Sequence, residues 1–138
     1  MTLPVRTGGC QCGAVRYEVT GAPVDLYVCH CTECRAQSAS AFGISFRVMP
    51  QQVRVVSGAL KRWSRKATVG GLLDCIFCEN CGSRLFHGDL SGTEEISVKG
   101  GSLDEPLDLS AAKHIWTKSK LAGVIIPEGC KSWPQEPQ

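Results

Sequence analysis

Seven of the nine cysteines in this 138-residue chain fall into three tight clusters: Cys10-Gln11-Cys12, Cys29-His30-Cys31-Thr32-Glu33-Cys34 and Cys78-Glu79-Asn80-Cys81. Seven thiolates are too many for one zinc ion and one too few for two closed ones. A structural zinc takes four protein ligands, whereas a catalytic zinc takes three and leaves a position for water or substrate. Four plus three therefore reads as one staple and one reactive metal.

Cysteines at such spacing also build disulfide frameworks, but those belong to oxidising compartments and to even pairing. The count here is odd, Met1 to Gly9 contains no apolar run, and no window reaches the length of apolar sequence that crosses a bilayer. The expectation is a cytoplasmic protein with free or metal-bound thiols. The 15 basic and 13 acidic residues balance too closely for a protein built to cover phosphate backbones, so neither nucleic acid nor membrane is an expected partner. With 43% hydrophobic but only 7% aromatic residues, the chain can form a modest core that metal cross-links would strengthen. The length and the absence of low-complexity stretches predict one domain over residues 1–138.

Period-two alternation dominates. Val15, Tyr17 and Val19 share one strand face, and Phe42, Ile44 and Phe46 share another. Val53 to Val55, Leu72 to Phe77, Arg84 to Phe86 and Ile96 to Val98 are further short strands, spaced by turn signals such as Ser91-Gly92. The fold class is mainly β, with one short helical turn over Thr32–Ser38 that Thr32 is placed to cap. That turn would set Cys34 near its positive end, where a thiolate is favoured. From about residue 125, Pro127, Pro134 and Pro137 predict an irregular tail lying over the domain.

Glycine follows Cys12 and Cys81 but not Cys34. It permits the positive φ that turns backbone amides toward sulfur, so Cys10, Cys12, Cys78 and Cys81 pair around one metal. Cys29, Cys31 and Cys34 are left for the second. Two readings stay open there: a vacant fourth position, which the ligand rule favours, or closure by Cys75 or a histidine into a second inert staple. A metal with three thiolates acidifies water poorly but suits sulfur chemistry, because zinc binds an incoming thiolate well and can hold it ready to add to a carbonyl carbon.

Gly9-Cys10-Gln11-Cys12-Gly13, Cys29-His30-Cys31-Thr32-Glu33-Cys34-Arg35, Phe77-Cys78-Glu79-Asn80-Cys81-Gly82-Ser83, Gly101-Ser102-Leu103-Asp104 and His114-Ile115 follow one another in the order seen in a known family. From about Gly8 to Trp116 the chain resembles the glutathione-dependent formaldehyde-activating enzymes. The resemblance implies an Mss4-like, zinc-stapled β-sheet fold of several coiled sheets with two zincs per chain. Cys10, Cys12, Cys78 and Cys81 would hold the structural zinc, and Cys29, Cys31 and Cys34 the catalytic one. It implies a carbon–sulfur lyase that joins glutathione, or another thiol, to formaldehyde or another small aldehyde, giving S-hydroxymethylglutathione in the founding reaction. Cys75 is extra to the family pattern, and Lys120–Val124 lacks the tryptophan often found there. The competing function is a zinc-stapled β module that binds a protein partner through two structural metals.

Arg35 can grip a glutathione carboxylate through two hydrogen bonds, and Trp116 can line the pocket. His30, flanked by two ligands in an extended segment, should face away from the metal they share. His114 and His87 are weaker candidates, compatible with packing. Phe42, Phe46 and Trp63 read as core or partly buried strand residues. The basic run Lys61–Lys66 reads as a charged strand edge that discourages pairing with other chains, and Cys130 as an unpaired thiol.

Overall fold

A computed structural model describes residues 3–68 and 70–138. Its strands are β1 (Val5–Gly9), β2 (Arg16–Thr20), β3 (Asp25–Cys29), β4 (Gly43–Val48), β5 (Val53–Ser57), β6 (Leu60–Lys66), β7 (Leu72–Cys78), β8 (Arg84–His87), β9 (Ile96–Lys99) and β10 (Lys113–Ile115), with one α-helix, α1 (Thr32–Ser38). They form a three-stranded sheet in the order β1-β2-β5 and a seven-stranded sheet in the order β10-β3-β4-β9-β8-β7-β6. The protein is mainly β, as its alternation predicts. Among the described residues every strand pairing is antiparallel except that of β10 with β3, which is parallel.

Alternation divides the larger sheet into two unlike faces. Phe46 and Val48 of β4, Phe86 of β8, and Ile96 and Val98 of β9 pack with Val15, Tyr17 and Val19 into one core. Tyr17 meets Phe86 edge to face at 5.0 Å between ring centroids, and its hydroxyl is satisfied by Ser102 Oγ at 2.5 Å. Burial pushes that phenol up to about 12, so it stays neutral. Each fully buried large apolar side chain stabilises the fold by roughly 1.5–3 kcal/mol. The opposite face carries Ser45 and Arg47 from β4, Ser97 and Lys99 from β9, and His87 from β8, in register with one another. These polar positions are covered too, and they line a cavity.

Four local details differ from expectation or refine it. Cys31, not Thr32, caps α1: its backbone is extended and its sulfur accepts from the Cys34 amide at 3.3 Å, so the free N–H is met by a thiol one residue earlier. Trp63 is 54% exposed, because β6 has a neighbour on one side alone and its basic run sits at the sheet edge. Phe46 is core, while Phe42 is half-buried against His30. The final residues form no strand but run beside β10, with Trp133 N–H donating to His114 O (2.9 Å) and Trp116 N–H to Gln135 O (3.0 Å). Among the described residues no helix is long and apolar enough to cross a membrane.

Candidate functional site

Cys10 and Cys12 lie in the β1–β2 turn, while Cys78 ends β7 and Cys81 follows in the β7–β8 turn. Their four sulfurs all lie within 4.8 Å of one another. The Cys10–Cys12 separation is 3.5 Å and the Cys12–Cys78 separation 3.8 Å. Tetrahedral zinc with bonds of about 2.3 Å sets sulfurs roughly 3.8 Å apart, so the group fits that ion. Gly13 and Gly82 adopt φ of 82° and 79°, and nearby amides converge on sulfur: Val15 N–H on Cys10 (3.2 Å), and those of Asn80 and Cys81 on Cys78 (3.3 and 3.4 Å). The Ser83 hydroxyl, then its amide, hold the Cys81 thiol down at about 5. These contacts favour the charged form that a metal requires.

Cys29 at the end of β3, Cys31 at the cap of α1 and Cys34 inside it bring three more sulfurs within 4.8 Å of one another. Among the described residues no fourth histidine, cysteine, aspartate or glutamate joins them. Cys75 is fully buried on β7 and turns its thiol toward Leu73 O. Hydrogen bonds from the Cys29 and Cys34 thiols, aided by backbone amides, pull Cys31 down to about 2, while the shared protons push Cys29 up. Three soft donors sharing negative charge also fit zinc, with one position left unfilled by protein.

His30 lies on the other side of this loop. It is fully buried, its Nε2 sits 2.9 Å from His114 Nδ1, and the rings stack with centroids 5.2 Å apart. Burial first, then the charges of His114 and Lys120, lower His30 to about 4; burial lowers His114 as well. Both rings are therefore neutral, and one donates to the other. Among the described residues, His30 Nδ1 and His114 Nε2 have no hydrogen-bond partner. The pair ties the loop from Cys29 to Cys34 to β10, whose Ile115 O also accepts from His30 N–H at 3.0 Å.

A cavity of about 370 Å³ opens over the three sulfurs. Trp116 forms part of its wall in a left-handed conformation, φ 58°, with its indole N–H on Glu136 Oε1 at 3.1 Å. Such a backbone for a bulky residue costs about 1–3 kcal/mol and marks a position fixed by its surroundings. Glu136 and Pro137 of the tail complete that wall. Arg35 lies outside, beside Thr32 and Leu121 on the far side of α1. The cations inside the cavity are Arg47, Arg65 and Lys99. Arg65 comes from the basic run expected to be a solvated strand edge but turns inward to the cavity, its side chain 17% exposed, while Arg47 and Lys99 do not stand out in the sequence. Arg47 donates to Ser97 Oγ at 2.7 Å and Arg65 pairs with Glu33 at 3.3 Å. Lys99 borders both this cavity and a larger, more open groove of about 830 Å³ that passes Cys10 and Cys81 but reaches none of the three sulfurs. Of these two spaces only the smaller touches the three-sulfur group.

The family described as "Glutathione-dependent formaldehyde-activating enzyme" matches residues 5–119. A crystal structure of a Rhodobacter sphaeroides protein is similar at 28% identity and a TM-score of 0.58, covering 78% of this chain and 98% of that one.

Proposed function

Because the chain belongs to the glutathione-dependent formaldehyde-activating enzyme family, we propose that it is a carbon–sulfur lyase that adds glutathione, or another small thiol, to formaldehyde or another small aldehyde in the cytoplasm. In this reading Cys10, Cys12, Cys78 and Cys81 hold a structural zinc, and Cys29, Cys31 and Cys34 a catalytic one. The observation that carries it is the three-sulfur group, with no fourth protein donor among the described residues, under a cavity within the usual size range of small-molecule sites. Bound zinc supplies a borderline-soft cation that favours thiolate over thiol and offers its free position to a substrate sulfur.

The chain's own residues provide the rest. The Cys31 cap and the His30–His114 bond fix the loop that carries the sulfurs. Trp116 and the tail narrow the space and limit water. Arg65, rather than Arg35, stands where a substrate carboxylate can be received, since it lines the cavity and Arg35 does not. The test is two-dimensional exchange NMR on glutathione and formaldehyde with and without zinc-loaded protein. The expected result is adduct exchange faster than in buffer, abolished in Cys31→Ser; exchange at the buffer rate overturns the reading.

A further inference from the structure

Resting on that reading, we propose that Lys99 is a catalytic residue of the thiol–aldehyde addition: its ammonium holds the oxygen anion that forms as sulfur attacks the aldehyde carbon. Ile96 and Val98 of β9 enter the apolar core, which sends Ser97 and Lys99 to the opposite, cavity-lining face. A lysine on the polar face of a strand is ordinarily solvated. Here that face is covered, and Lys99 is only 9% exposed.

A lysine buried to this degree is normally paired. Arg47 and Arg65, the other two cations of the cavity, have acidic partners in Glu95 and Glu33, whereas the Lys99 ammonium has no hydrogen-bond or ion-pair partner among the described residues. Lys99 and the sulfurs of Cys29, Cys31 and Cys34 line the same cavity; burial lowers the lysine's pKa, and the charges of Cys34 and Cys29 act against that shift. A cation with no protein partner among the described residues, in the same cavity as the three sulfurs, is preorganised for an anion that exists only during reaction.

The step balances without a redox partner. The thiol releases its proton to solvent, the sulfur–carbon bond forms, and the carbonyl π pair moves onto oxygen. That oxygen then takes a proton from water, leaving a hydroxyalkyl thioether. Lys99 remains an ammonium throughout. Zinc alone does not supply this charge, since three thiolates more than neutralise it.

The experiment compares zinc-loaded wild type, Lys99→Met and Lys99→Arg by exchange kinetics, zinc content, and saturation-transfer NMR with formate, a one-carbon oxyanion. We expect Lys99→Met to keep its zinc, lose about 10²-fold in kcat with KM changed less than about twofold, and lose formate binding, with Lys99→Arg recovering much of both. Full kcat in Lys99→Met, or a rise in KM alone, overturns the role while the lyase reading stands. Loss of zinc from Lys99→Met instead assigns the ammonium to holding the sulfur group, and also overturns it. Wild type that binds formate through Lys99 but leaves the exchange at the buffer rate overturns the lyase reading and keeps an oxyanion-holding lysine. Absence of formate binding by wild type overturns the oxyanion-holding assignment.

Discussion

The two cysteine groups use one kind of side chain in opposite constructions. The four-cysteine group joins turns far apart in sequence, with Cys12 and Cys78 separated by 66 positions, and its sulfurs are wrapped by amides from both turns. The three-cysteine group sits in one short segment running from the end of β3 into α1, already held by β4, by β10 and by the His30–His114 bond. A metal in the first closes a long loop, whereas one in the second closes almost none. The difference teaches that a thiolate group stabilises a fold according to the chain it gathers, and is free for chemistry where the backbone is secured by other means.

The largest test of this contrast is to remove one sulfur from each group. Cys78→Ser should fail to fold or melt more than roughly 15 °C lower, while Cys31→Ser should lose one metal and shift by no more than about 5 °C. Thermal unfolding with metal analysis checks it, and equal losses would erase the distinction. Stepwise chelation is the next test: the first equivalent of zinc should leave with the far-ultraviolet dichroism unchanged, and the second should take the fold with it. A single cooperative release would contradict two independent sites.

A smaller effect is expected at the histidine pair. His114→Ala leaves buried His30 Nε2 without its partner, which should cost about 1–3 kcal/mol in urea denaturation and weaken cobalt binding at the three-cysteine group alone. The smallest effect concerns pH. Burial, followed by the charges of Lys99, Arg84 and Arg65, depresses His87 to about 2, and Arg84 donates to its Nε2 at 2.9 Å. Below about 6.5 the unfolded chain takes up a proton that the folded chain refuses, so stability should fall as pH falls, by up to about 1.4 kcal/mol per unit. His87→Gln should flatten that slope in denaturation curves between pH 6.5 and 5; an unchanged slope would assign the acid response to other groups.

Much of this was legible in the chain itself. Val15-Tyr17-Val19 and the Phe42–Phe46 stretch announce strands because each has one greasy face, and the glycines after Cys12 and Cys81 announce turns because positive φ strains other residues. β1 is hidden by its two glycines and its place at a sheet edge, and β10 by having three residues and a parallel partner far away in sequence. Cys31 as the helix cap escaped because hydroxyls and carboxylates usually do that work. Lys99 escapes, and Arg65 passes for edge charge rather than cavity lining, for a more general reason. Alternation shows which side chains share a face, but not whether solvent or a folded-back tail lies over it.

The parallel pairing of β10 with β3 also has a consequence in time. His114 and Val28 stand opposite one another in that ladder, so β10 can dock only after the whole intervening chain has been gathered. Long closures of this kind come late in folding. The β3–β4 pairing closes a far shorter stretch and can form first, and the wall that β10, Trp116 and the tail give the cavity arrives later. During refolding the loop that carries Cys29, Cys31 and Cys34 would therefore be present, and open to oxidants, before the pocket around it is closed.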